Sequence, residues 1–286
     1  MSDELLRVNQ LNVRFPVMSR GLLRRQTSDF HAVKDLSFHL NRGETLGIVG
    51  ESGSGKTSLV RALIRAIKPS SGSAVFNSSQ GQVDLCQLSD KQLVPLRTQM
   101  QMIFQDPFAS LNPRMKVGEI IAEPLAIHAP ASRAEHRGRV IEMLGRVGLE
   151  ASAIQRFPHA FSGGQRQRIG IARALIMQPA LVVCDEAVSA LDVSVQAQVL
   201  NLLADLQAEL GLTYIFVSHD LNVVRHFCER ALVMYRGEVV EEGAVDDLFD
   251  RPQHNYTRLL LSAIPSIDPD VRLAPLSRAS LGLPIE

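Results

Sequence analysis

The chain has 286 residues, long enough to bury a sizeable core as one large domain or two joined lobes. Its 30 basic and 30 acidic side chains cancel, so the balance points neither to nucleic acid nor to an acidic membrane surface. Cys86, Cys184 and Cys228 match no zinc spacing and suit a reducing compartment, and no apolar run approaches the roughly 18 residues a membrane helix needs.

The N-terminus, Met1-Ser2-Asp3-Glu4, lacks a basic region followed by an apolar core, so no signal peptide is read there. A cytosolic protein is expected, meeting a membrane only through a partner. Residues 11–15 and 33–40 read as short strands around an insertion carrying Arg20, Arg24 and Arg25, which a solvated loop explains better than a binding patch. Gly43 turns the chain into an apolar run at 45–49, of buried-strand type. The loop Gly50-Glu51-Ser52-Gly53-Ser54-Gly55-Lys56-Thr57 follows, then a helix from 57 to about 67 that Pro69 and Gly72 stop.

Residues 89–160 read as a mostly helical lobe, its helices broken by Pro113, Pro124, Pro130 and Pro158. After the turn at Ser162-Gly163-Gly164, Ile169, Ala172, Arg173 and Ile176 recur at helical spacing, and a strand follows at 181–184. The clearest helix is 194–210, with Val199, Leu202, Leu203, Leu206 and Leu210 on one face and Gly211 as its stop. Residues 212–217 form another buried strand, ending at Ser218-His219-Asp220. Alternating strands and helices predict an α/β fold with a mostly parallel sheet covered on both faces, and ligands at the C-terminal ends of its strands. The Pro-, Ser- and Leu-rich tail after about Pro265 is expected to be a poorly ordered extension.

Strand, Gly-rich loop and helix in succession are the context a phosphate-binding loop requires. Its glycines let backbone N–H groups face phosphate oxygens, and the helix adds its positive N-terminal end. Lys56 is placed to neutralise the β- and γ-phosphates, and the Thr57 hydroxyl to ligate Mg²⁺. The apolar strand at 181–184 ends in Asp185, placed to hold Mg²⁺ through water, and Glu186, placed to polarise an attacking water. Alone, that acidic pair reads better as a helix cap; combined with the phosphate loop, the catalytic reading prevails. His219 after a buried strand reaches a γ-phosphate or is structural. Gln105, after Met102-Ile103-Phe104, is a nucleotide sensor or an ordinary polar residue at a strand end.

With these stretches in one order, the chain resembles the ATP-binding subunit of an ABC transporter across about residues 5 to 265. Walker A lies at 50–57, the Q-loop at Gln105, the signature at Ser162 to Gln165, Walker B at 181–186, the D-loop at 189–192 and the switch histidine at His219. Residues 102–114, 193–198 and 254–261 are similar to the oligopeptide/dipeptide/nickel permease branch. The resemblance implies a phosphate-loop NTPase core, with an antiparallel N-terminal β subdomain, made of 1–88 and 161–250. It also implies a helical lobe at 89–160 and a C-terminal extension at 251–286.

The resemblance further implies ATP and Mg²⁺ as ligands. Gly50, Glu51, Ser52, Gly53, Ser54, Gly55, Lys56, Thr57 and Ser58 would hold the nucleotide, with Phe15 stacking on adenine and Phe30 as the alternative. Thr57, Gln105 and Asp185 would hold the metal, and Glu186, His219 and Gln105 would serve hydrolysis. The family forms a head-to-tail dimer, so Ser162, Gly163, Gly164, Gln165 and Asp192 would face ATP bound by the partner. The implied partners are a second ATPase subunit of a different chain, membrane permease subunits and, indirectly, a solute-binding protein, with no nucleic acid. The chain would sit on the inner face of the cell membrane through the permease. The chain departs from the pattern twice: Ala187 stands where proline is usual, and no cysteine follows Cys228, so no iron–sulfur cluster is expected. The expected function is ATP hydrolysis energising an importer of peptides or a related solute. An ABC ATPase of a soluble complex of carbon–phosphorus lyase type is the alternative. A DNA-repair or translation ATPase would carry a long coiled coil or two nucleotide domains, neither of which is read here.

Overall fold

A computed structural model of the chain describes residues 4–18, 26–106, 110–129, 132–263 and 276–283. In chain order, β1 (Glu4–Met18), β2 (Gln26–Asn41) and β3 (Thr45–Val49) precede α1 (Lys56–Leu63), β4 (Ser71–Ser78) and β5 (Gly81–Asp84). Then come α2 (Asp90–Leu93), β6 (Met100–Ile103), α3 (Val117–His128), α4 (Arg133–Arg146) and α5 (Gly163–Leu175). β7 (Leu181–Asp185), α6 (Val193–Leu210), β8 (Thr213–Val217), α7 (Leu221–Phe227) and β9 (Arg230–Tyr235) follow. The series ends in β10 (Glu238–Ala244), α8 (Val245–Asp250) and α9 (Asn255–Ser262). The chain folds as two compact units, one of residues 1–40, 45–87 and 216–286 and another of residues 41–44 and 88–215.

The first unit holds a sheet of order β2-β1-β4-β5, in which β1 and β4 run antiparallel with Leu6 opposite Phe76 and Val8 opposite Ala74. These four side chains are buried, the inward face of a half-buried strand pattern. A second run of strands, β10-β9-β3, continues to the last residues of β8, where the Ser218 N–H donates to Ile48 O at 3.3 Å. β3 and β9 are parallel with Ile48 opposite Leu232, and β10 returns antiparallel. Every residue of β3 is buried, as a strand covered on both faces requires. At Gly47 a Cβ would lie 2.8 Å from Val224 Cγ1, so the missing side chain lets α7 close on β3.

In the same unit Glu241 of β10 accepts the N–H groups of Gln253 (2.7 Å) and His254 (3.0 Å), which fixes the entry to α9. Burial works against the charged form of Glu241, yet these donors hold its carboxyl below the ordinary 4.5. A depressed carboxylate contributes stability that is present above its unfolded value and lost as the pH falls through its folded one. Glu241→Gln is therefore expected to cost about 1 kcal/mol at pH 7, after allowance for solvent screening. Denaturant melts at stepped pH should show the gap closing below pH 4.5.

The second unit carries strands in the order β8-β7-β6, with β6 parallel to β7 and Met102 opposite Val183. β7 is wholly buried, and burial pushes the Cys184 thiol far up, so it acts as a small core residue. Around α3 to α5, arginines satisfy carbonyls at segment ends. Arg139 reaches Ile176 O (2.8 Å), Arg168 reaches Val147 O (2.8 Å) and Arg173 reaches Ser110 O (2.7 Å).

The α/β class is as expected, with a mixed set of strands, an antiparallel sheet and helices. Several local expectations change. β1 and β2 are much longer than the strands read at 11–15 and 33–40, because ladder pairing extends past their apolar centres. α1 stops at Leu63, several residues early, where Arg65 takes a φ of 56°. Pro124 does not break its helix but sits inside α3, whereas β6 lies where a strand end is read before Gln105. On α6 the buried stripe is Val199, Leu200, Leu203 and Leu206, with Leu202 and Leu210 only half-buried. Residues 276–283 of the tail are placed, the Leu276 N–H donating to Ser262 Oγ (3.1 Å) and Asn255 Nδ2 to Leu281 O (2.9 Å). Arg20, Arg24, Arg25, residues 107–109, Pro130 and residues 264–275 lie outside the described residues.

Candidate nucleotide site

In the first unit the loop after β3 curls tightly. Gly50 has a φ of 148°, and a Cβ there would lie 2.2 Å from Met234 O; Gly55 has a φ of 104°, and its Cβ would lie 2.2 Å from Ala32 O. No side chain fits at either place, so β9 and β2 press against the two ends of the loop. The Lys56 ammonium is buried and folds back, donating to Gly50 O (2.6 Å) and Glu51 O (2.8 Å). Positive charge is thereby held within the loop, at the first residue of α1.

Ser54 Oγ is buried and has no hydrogen-bond partner among the described residues. A buried hydroxyl without a partner is costly unless a ligand supplies one. Ser52, Gly53 and Thr57 are exposed, and Gly55 and Ser58 half-exposed. The first turn of α1 has no acidic residue and no side-chain cap, so no acid of that turn offsets its positive end. Loop, ammonium, helix end and orphaned hydroxyl together fit a phosphate chain.

His219, in the same unit, is exposed just past β8, and Asp220 caps α7 by accepting the Asn222 N–H at 2.9 Å. Phe15 on β1 is half-buried, whereas Phe30 on β2 is 56% exposed. Phe30 lies two residues before Ala32, whose carbonyl abuts Gly55.

The second unit collects the acids and the signature. Asp185 is buried at the end of β7, and Glu186 follows with a φ of 51°, the left-handed region a glutamate seldom adopts. Its carbonyl is held by the Ser189 N–H (3.2 Å) and Ser189 Oγ (3.0 Å), and Ala187 and Val188 are buried beneath the turn. Gln105, just past β6, donates from Nε2 to Glu186 Oε2 at 2.8 Å. The proposed sensor and the proposed base thus touch directly.

Ser162 caps α5 in a reciprocal pair. Its Oγ accepts the Gln165 N–H (3.4 Å), and its own N–H donates to Gln165 Oε1 (3.1 Å). Gly164 is required by close packing, since a Cβ would lie 2.4 Å from Val195 Cγ1 on α6. Asp192 is the N-cap of that same helix, so α6 ties the signature turn to the segment before it. Among the described residues no cluster of three His, Cys, Asp or Glu side chains forms a metal site. Of the groups expected to hold the metal, Thr57 lies in the first unit and Gln105 and Asp185 in the second, each with an oxygen of the kind Mg²⁺ prefers. Three residues that the motifs did not single out also bear on the loop: Tyr235, Tyr256 and Arg278. Only Tyr256 had a sequence signal, within the branch-specific stretch 254–261.

These features define a phosphate-loop nucleotide-binding protein. Residues 33–189 match the family model described as ABC transporter, and residues 240–281 match the oligopeptide/dipeptide transporter C-terminal region. The chain is 51% identical over 267 residues to the oligopeptide transport ATP-binding protein OppF of Haemophilus influenzae, covering 93% of this chain and 79% of that one. It is 50% identical to the oligopeptide transport ATP-binding protein AppF of Bacillus subtilis over 92% of this chain and 79% of the other. The glutathione import ATP-binding protein GsiA of Pectobacterium atrosepticum is 49% identical over 95% of this chain, which spans only 43% of that longer protein. Among solved structures, CbiO1 of Clostridium perfringens, part of an ABC transporter complex, superposes with a TM-score of 0.74 at 30% identity. That superposition covers 87% of this chain and 92% of the other. A bacterial ABC transporter cassette solved as a dimer gives 0.72 at 28% identity, over 84% and 99%. The chain belongs to the ABC transporter family and is an ATP-hydrolysing component of that family.

Proposed function

We propose that this chain energises import of peptides or a related small solute across a membrane, by ATP-driven closing and opening of a head-to-tail dimer. The observation that carries the reading is the phosphate loop with its buried lysine and orphaned Ser54 hydroxyl, in a chain about half identical to named oligopeptide transport ATP-binding proteins. The match of residues 240–281 to the transporter-specific C-terminal region favours import over a soluble complex. No described helix is long and apolar enough to cross a membrane, so membrane contact is assigned to permease subunits. Residues 89–160 are the lobe assigned to dock on them, on the inner face of the membrane. The second ATPase subunit is assigned to a different chain, and a solute-binding protein acts at one remove.

In this reading Gly50 to Ser58 surround the triphosphate, and Lys56 turns from the Gly50 and Glu51 carbonyls to the β- and γ-phosphates. Phe15 stacks on adenine, and the more exposed Phe30 stays the alternative. Thr57, Gln105 and Asp185 are the groups assigned to Mg²⁺, which when bound neutralises phosphate charge. Glu186 takes a proton from the attacking water, His219 orients the γ-phosphate, and Gln105 relays the state of the site. Ser162 to Gln165 and Asp192 present hydroxyl, N–H and helix-end dipole to ATP held by the partner. Hydrolysis removes those contacts and the dimer opens. Gentle detergent extraction of the tagged chain from its own cells is expected to bring down a multi-span membrane protein. Recovery only with soluble enzymes would discard the importer.

A further inference from the structure

Beyond the family motifs, the C-terminal region reaches the phosphate loop itself. The Glu51 N–H donates to Tyr256 Oη at 2.8 Å, and the Glu51 carboxylate is paired with the Arg278 guanidinium. Arg278 also donates to Tyr235 Oη at 3.3 Å, and the Tyr235 and Tyr256 rings pack with centroids 4.2 Å apart. Tyr256 is fully buried, and burial pushes its hydroxyl up to about 12, so it stays protonated at working pH. Loop, both tyrosines and Arg278 all lie in the first unit.

We propose that Arg278 and Tyr256 are positioning residues for ATP binding: together they hold Glu51, backbone and side chain, away from the path of the triphosphate. Glu51 is an acid in a loop that must accept a polyanion. Lys56, the loop's cation, already donates to the Glu51 carbonyl, so the carboxylate of the same residue is a nearby competitor for that ammonium. Arg278 engages the carboxylate in an ion pair and neutralises it. Tyr256 accepts the Glu51 N–H, leaving the curl of the loop set before nucleotide arrives. The prearranged loop then spends less binding energy on ordering.

The inference rests on this loop being the ATP site, so Lys56→Ala serves as the control, and equilibrium binding of a fluorescent ATP analogue is the readout. Lys56→Ala should abolish binding; if it does not, the reading of the loop itself fails. Arg278→Ala is expected to weaken binding about 3- to 10-fold, with the deficit shrinking as salt screens the exposed carboxylate. Adding Glu51→Gln to Arg278→Ala should restore affinity, because the charge needing neutralisation is gone, and Arg278→Lys should restore part of it. Tyr256→Phe keeps the ring packing yet is expected to speed amide hydrogen exchange across residues 50–54 in nucleotide-free protein. A purely structural tail would show no rescue by Glu51→Gln. Binding within twofold of the parent for Arg278→Ala, or unchanged exchange for Tyr256→Phe, in a protein where Lys56→Ala abolishes binding, would overturn the proposal.

Discussion

Glu186→Gln is expected to lower ATP turnover by about 1,000-fold or more while leaving nucleotide binding intact. The substitution keeps the shape of the side chain and an oxygen able to accept the Gln105 Nε2–H, so the 2.8 Å contact survives. The left-handed backbone at 186, held by Ser189, is likewise retained, since glutamine bears that φ no worse than glutamate. What is lost is the carboxylate proposed to accept a proton from water. With ATP bound and uncleaved, the dimer should accumulate closed. Size-exclusion chromatography with and without ATP, alongside single-turnover phosphate release, reads both effects. Release at the parent rate would show that Glu186 is not the base and would shift attention to His219.

The motif-bearing residues are legible because their chemistry is local in sequence. Gly50 to Thr57 declare a phosphate loop by spacing alone, and the buried strands β3 and β7 follow from continuous apolar runs at 45–49 and 181–184. Hidden from the sequence are the contacts that make particular residues necessary. Gly55 is forced by Ala32 O and Gly164 by Val195, each a partner more than twenty residues away. Tyr256 and Arg278 meet Glu51 from 205 and 227 residues away, a closure no periodicity encodes. The same limit accounts for Pro124. Proline inside a helix reads as a break because it removes one N–H and crowds the preceding turn. The tertiary burial of Ile120, Ile121 and Leu125 around it holds α3 together regardless. Within the tail, composition does not encode the hydrogen bonds that join residues 276–283 to α9.

Ser162→Asp is expected to lower hydrolysis about 100-fold while leaving the chain's own ATP affinity unchanged. Alanine is the weaker test, since Ser162 Oγ also caps α5 through the Gln165 N–H and its loss costs about 1 kcal/mol of helix stability. Aspartate caps as well as serine and favours a helix N-terminus, so the fold of α5 is kept or improved. What it adds is a negative charge where the head-to-tail reading puts the γ-phosphate of the partner's ATP. Ser162 is exposed, so the carboxylate meets no internal clash. Ser162→Thr, with cap and neutral hydroxyl both present, should keep most of the activity. The sharpest form of the experiment uses the assembled transporter and changes Ser162 in this chain alone. Nucleotide bound at this chain's Lys56 should still turn over, while nucleotide in the partner's loop should not. An aspartate variant that hydrolyses at the parent rate, or one that loses its own ATP affinity, would place the signature turn in its own subunit's site or in none, and the shared-site dimer would have to be abandoned.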